Sequence, residues 1–81
     1  MRKRLVGTAR CCTLPVHYYL LTGETEDGRK TYGVLVEGDG RTSIPDITSS
    51  RSRVQSLLGR LIQGRVTPVT ALDVVEDWIL A

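Results

Sequence analysis

Apolar and polar residues alternate through two runs, VHYYLLTGE over 16–24 and TYGVLV over 31–36, on either side of Asp27-Gly28. Asp-Gly between alternating runs is the strongest short-range signal for a β-hairpin. With Asp27 and Gly28 as the two loop residues, Glu26 pairs with Arg29 and the register follows by counting outward. Leu21 then faces Val34, Tyr19 faces Val36, and Gly23 lies opposite Tyr32. Side chains in a strand repeat every two residues, so all of these share one side. That side, with Tyr19, Leu21, Tyr32, Val34 and Val36, is the expected core side. The other collects Tyr18, Leu20, Thr22, Glu24, Thr31, Gly33, Leu35 and Glu37. A slip of one residue would turn Glu24 and Glu37 inward, which argues for this register.

The same alternation extends upstream. Leu5, Gly7, Ala9 and Cys11 alternate against Arg4, Thr8 and Arg10, with Val6 the exception. With Thr13, Leu14 and Pro15 as the connection, Cys11 pairs with His17, Ala9 with Tyr19, Gly7 with Leu21 and Leu5 with Gly23. Arg4 then lies across from Glu24. The small residues give a helix room to approach the sheet. The expected strands cover 3–12, 16–26 and 29–37. After Glu37-Gly38-Asp39-Gly40, residues 41–44 can return as a short fourth strand, stopped at Pro45 because proline donates no ladder hydrogen bond.

The period then changes from two to 3.6. Thr48, Ser49 and Ser50 offer capping hydroxyls. Val54, Leu57, Leu58, Leu61 and Ile62 follow at i, i+3, i+4, i+7 and i+8, one apolar stripe on a helix over 50–63. Gly64 is the expected stop residue. Gly59, inside the helix and off the stripe, costs about 1 kcal/mol against alanine. Thr67-Pro68 opens a second helix over 68–80. Its apolar residues, Ala71, Leu72, Val74, Val75, Trp78 and Ile79, cover an arc of about 160°. So wide an arc implies contact with both the sheet and the first helix, or with a second subunit. The expectation is one α+β domain: an antiparallel meander of three strands, with a candidate fourth, followed by two amphipathic helices on one face.

Composition changes this picture little. The chain has 81 residues, 41% hydrophobic and 25% charged, which is ordinary for a globular domain. No apolar run approaches the ~20 residues that span a bilayer. The basic opening MRKRLVGTARCC lacks a signal-peptide core, so a soluble, cytoplasmic protein is expected. The net charge of +2 is too small by itself to argue for nucleic acid. Two adjacent cysteines, Cys11 and Cys12, point to opposite faces of a strand and make no disulfide framework.

The pattern Tyr18-Tyr19-Leu20, Tyr32-Gly33-Val34, Ile47-Thr48-Ser49, Val66-Thr67-Pro68 and Val74-Val75-Glu76-Asp77-Trp78 spans most of the chain. It is similar to a group of short uncharacterised proteins of clostridial Firmicutes, a domain of unknown function. The resemblance implies a bacterial cytoplasmic protein with no assigned activity, and it carries over no catalytic residue.

Candidate chemistry is sparse. Cys11 beside His17 could form an activated thiolate, but no orienting group or oxyanion loop accompanies the pair. Cys11, Cys12 and His17 offer at most three ligands where structural zinc takes four. No glycine-rich loop opens a helix, and no carboxylate pair is placed for acid–base work. No enzyme activity, metal or cofactor is therefore expected. The first helix carries Arg51, Arg53 and Arg60 and no acid, with Arg53 and Arg60 on one flank about 10.5 Å apart along the axis. Asp73, Glu76 and Asp77 sit late in the second helix, where its dipole disfavours them, so a nearby arginine would relieve them. Arg29 and Lys30 read as ordinary charges at the hairpin tip. The expected function is a non-enzymatic module that binds another protein or itself, without membrane attachment. Its surface would include Trp78 together with Tyr18, Leu20 and Leu35 on the second face of the sheet. The alternative is a small nucleic-acid-binding regulator using Arg51, Arg53, Arg60 and the basic amino terminus.

Overall fold

The computed structural model describes residues 2–11 and 14–80, with the backbone alone at Cys11. Four strands, β1 (Arg2–Cys11), β2 (Leu14–Glu24), β3 (Lys30–Glu37) and β4 (Arg41–Thr48), form one antiparallel sheet in that order. Two helices follow, α1 (Arg51–Gln63) and α2 (Pro68–Leu80), both packed on the same side of the sheet. The fold is α+β.

The β2–β3 loop differs from the expected two-residue turn. Gly28 N–H donates to Thr25 C=O (3.0 Å), Thr25 N–H donates to Arg29 C=O (2.8 Å), and Gly28 has φ +84°. These bonds define a three-residue loop, Glu26-Asp27-Gly28, a tight turn followed by a left-handed residue. Glycine takes that conformation without the steric penalty of a side chain. The Thr25 hydroxyl caps the loop by donating to the Asp27 carboxylate. One extra loop residue shifts the whole register: Leu20 pairs with Val34, Tyr18 with Val36, and Tyr19 with Leu35. The β3 residues Tyr32, Val34 and Val36 face the helices as expected. On β2 the inward set is Val16, Tyr18 and Leu20, where Tyr19 and Leu21 were expected.

Those residues build the core with Val34 and Val36, under Val54, Leu57, Leu58 and Leu61 of α1 and Ala71 and Val75 of α2. Each buried valine or leucine contributes about 1.5–3 kcal/mol through removal from water. Two polar ties hold the helices to the sheet. The Tyr18 hydroxyl donates to Val66 C=O (2.7 Å), and the Thr42 hydroxyl donates to Pro68 C=O (2.6 Å).

Strand β1 pairs with β2 three residues away from the expected register, with Cys11 opposite Leu14, Ala9 opposite Val16 and Gly7 opposite Tyr18. Gly7 and Ala9 do face the helices. A Cβ at Gly7 would come within 2.7 Å of Ile62 Cδ1, so α1 rests directly on this strand. Between Leu5 and Gly7 the register shifts at a bulge. Beyond it Arg4 pairs with Leu20 and Arg2 with Thr22, on the helix side, while Leu5 and Lys3 turn to the open face. Arg4 therefore does not oppose Glu24.

Strand β4 is longer than expected. It passes Pro45 by bulging between Ile44, paired with Val34, and Thr48, paired with Tyr32. An edge strand tolerates proline at such a bulge. Asp46 takes φ +57° there and accepts a hydrogen bond from the Thr31 hydroxyl (2.6 Å). The bulge folds over Gly33, where a side chain would meet the Ile44 carbonyl and Pro45 Cα.

Ser50 caps α1 through Arg53 N–H (3.4 Å). At the other end the left-handed residue is Arg65 (φ +50°), while Gly64 remains right-handed at φ −80°. Val66 N–H donates to Leu61 C=O (3.0 Å) and Arg65 N–H to Ile62 C=O (3.1 Å), a Schellman closure displaced by one residue from the expected stop.

Candidate interaction surfaces

The residues singled out in the sequence fall in different places. Tyr18 and Leu20 were expected on the second sheet face, but they are buried beneath the helices, because the three-residue loop reverses the facing of β2. Leu35 does lie on the second face, paired with Tyr19, and is 1% exposed. Leu21 on that face is also buried, and the Lys3 ammonium stands 5.0 Å from the centre of the half-buried Tyr19 ring. The open face thus covers its own apolar pair.

The helix-one arginines are exposed but do not act as a set. Arg51 opens α1 beside Arg4 of β1, sharing one hollow with it. Arg53 turns toward α2, its guanidinium 5.0 Å from the centre of the half-buried Trp78 ring, a cation–π contact. Arg60 lies in the last turn. Where Arg53 reaches the acidic end of α2, it meets an aromatic ring. Among the described residues the ion pairs are Arg29–Asp27 and Arg41–Glu37, both at the surface, where such pairs add little.

The exposed apolar surface gathers on α2. Its core stripe is Pro68, Ala71 and Val75, with Val74 and Trp78 partly covered on the α1 side. The opposite flank is left open: Val69 is 88% exposed, Leu72 48%, Ile79 52% and Leu80 84%. At 100° per residue these four span about 100° of the helix, and about 15 Å separates Val69 from Ile79. Of the 160° arc, the sheet and α1 cover Ala71, Val74, Val75 and Trp78 and leave Leu72 and Ile79 open. Below Val69 the flank runs into a hollow of about 380 Å³ lined by Leu14, Val16, Asp39, Gly40, Pro68 and Val69. Glu76 stands within this span, between Leu72 and Leu80, Asp73 and Asp77 border it, Asp39 lines the hollow, and α2 carries no basic residue.

A second feature lies at the other end of the sheet. Arg2, Arg4, Lys30 and Arg51 line a hollow of about 360 Å³ floored by Leu20, Thr22 and Tyr32. The sequence reading grouped the basic amino terminus with Arg51, Arg53 and Arg60; the hollow takes Arg51 alone of those helix residues and adds Lys30, which was read as an ordinary tip charge. Val6, which breaks the alternation of β1, is the trace of the bulge that turns both arginines toward α1.

His17 pairs with Thr8, so the expected backbone pairing with Cys11 is absent. The Cys11 side chain and all of Cys12 lie outside the described residues. Among the described residues, no helix is long and apolar enough to cross a membrane.

A family profile matches residues 2–81, from the first residue of β1 through both helices. The chain belongs to DUF6514, a family of unknown function. The DUF6514 match covers all four strands, so the β4 bulge and the open flank of α2 both lie within it. No curated protein and no solved structure matches the chain.

Proposed function

We propose that the chain is a non-enzymatic protein-interaction module that takes a basic amphipathic segment of a partner against the outer flank of α2. The observation that carries this reading is the alignment of Val69, Leu72 and Ile79 along one helix, open to water and continuous with the Leu14–Pro68 hollow. Exposed apolar side chains gathered on one flank, here with the Glu76 carboxylate among them, are typical of partner sites. The charged residues of α2 are all acidic and Asp39 lines the hollow, which favours apolar anchors flanked by lysine or arginine. A second copy of α2 is a poorer occupant, since it would set Glu76 and Asp73 against their own likes. Edge-to-edge pairing of sheets is also obstructed, by Arg2, Lys3, Arg4 and a bulge on β1 and by Pro45 on β4.

The test uses a synthetic amphipathic helix of leucine and lysine, and the same peptide with glutamate in place of lysine. Trp78 is the chain's one tryptophan and reports from α2 itself. The lysine peptide is expected to shift Trp78 emission saturably, and the glutamate peptide is not. Replacing Leu72 and Ile79 together by serine removes the anchors without adding charge, and is expected to weaken binding about tenfold or more. Equal affinity of that variant, or no response to the lysine peptide, would contradict the proposal.

A further inference from the structure

We infer that the trough between the amino-terminal half of β1 and the start of α1 binds single-stranded nucleic acid through its phosphates. This surface is separate from the α2 flank, and its test is independent of the peptide experiment.

Three hollows of about 440, 360 and 250 Å³ lie in a row and share their walls. Arg2, Thr22 and Lys30 belong to the first two, and Arg4, Leu20 and Arg51 to the last two. The result is a continuous trough, from the base of the β2–β3 hairpin to Gln55 in the second turn of α1. A trough open at both ends suits a chain better than a compact ligand.

Its cations outnumber its acids, and two of them share a strand face. Arg2 and Arg4 are two residues apart on one face of a strand, about 6.6 Å. That interval is close to the separation of successive phosphates along an extended single strand. Arg51 faces them from α1, whose first turn holds no acidic residue. Glu24 lines the hairpin end and pairs across the strands with Lys30. Even so, none of the four cations is ion-paired among the described residues. Holding four cations near a single carboxylate costs free energy that a bound polyanion would recover through counterion release. The half-buried Tyr32 on the floor adds an aromatic ring, and base–aromatic stacking is the usual complement to a cationic groove for single strands. A duplex is a poorer fit, because its bases are stacked on one another and cannot reach the Tyr32 ring.

Fluorescence anisotropy with a labelled oligothymidine at low salt provides the test. With four phosphates engaged, the log–log salt slope is expected near about −2.8, at about −0.7 per contact. The double variant Arg4→Glu, Arg51→Glu is expected to weaken binding at least about tenfold and to bring the slope to about −1.4. Arg41→Glu with Arg60→Glu makes the same change in net charge at exposed positions outside the three hollows, and is expected to alter affinity less than about twofold. Equal losses in the two variants would show that only net charge matters and would overturn the inference. So would a failure to bind oligothymidine, tighter binding of a duplex of the same length, or equally effective competition by inorganic phosphate or polyglutamate.

Discussion

Gly33→Ala is expected to cost about 3 kcal/mol or more of stability, enough to leave much of a domain this size unfolded. The β4 bulge lies across this glycine, and a Cβ there would overlap the Ile44 carbonyl and stand 2.6 Å from Pro45 Cα. Both obstacles are backbone, so no rotamer change relieves the clash. The bulge would have to open, giving up the Thr31–Asp46 hydrogen bond. Gly59→Ala is the control. Nothing lies within 4 Å of its added methyl, and the helix gains up to about 1 kcal/mol from the substitution. Urea unfolding of the two variants should move the midpoint in opposite directions. A Gly33→Ala protein as stable as the parent would mean that β4 does not bulge over β3.

Tyr18→Ala and Tyr19→Ala are expected to differ sharply, although the residues are neighbours. Tyr18 is fully buried, and its hydroxyl ties the sheet to the α1–α2 link at Val66. Its truncation should cost about 3–5 kcal/mol, the range for a large aromatic removed from a core. Tyr19 is half-buried on the open face with Lys3 over its ring, and its loss should cost no more than about 1.5 kcal/mol. Thermal unfolding of the two variants reads the difference. The reverse order would place the opposite face of β2 under the helices.

Much of this architecture was legible because it rests on local chemistry. The change from alternation to a 3.6 period places the helices after the sheet, Ser50 and Pro68 mark where they start, and Gly7 and Ala9 mark where α1 approaches. The facing of β2 was not legible, for a specific reason. Asp27-Gly28 fits a two-residue loop, and it fits equally the last two positions of a three-residue loop that begins at Glu26. The objection that a slip would bury Glu24 and Glu37 fails because only β2 reverses: Glu37 stays on the open face with Leu35, and Glu24 turns to the helix side at the end of its strand. Glu24 is exposed, and Glu37 is only half-covered. The same limit governs the surfaces. The α2 periodicity showed a broad apolar arc but not which flank the sheet would leave open. The basic amino terminus was visible as composition. Its convergence with Arg51 depends on the bulge at Val6, and simple alternation conceals such a bulge.

The facing of β2 decides which side chains are hidden and which surfaces remain for partners, and cross-strand proton NOEs measure it directly. The Thr25–Arg29 bond makes Leu20–Val34 and Tyr18–Val36 non-hydrogen-bonded pairs, whose Hα protons approach most closely. Strong Hα–Hα NOEs are predicted between Leu20 and Val34 and between Tyr18 and Val36. Such NOEs from Leu21 to Val34 or from Tyr19 to Val36 would contradict the account.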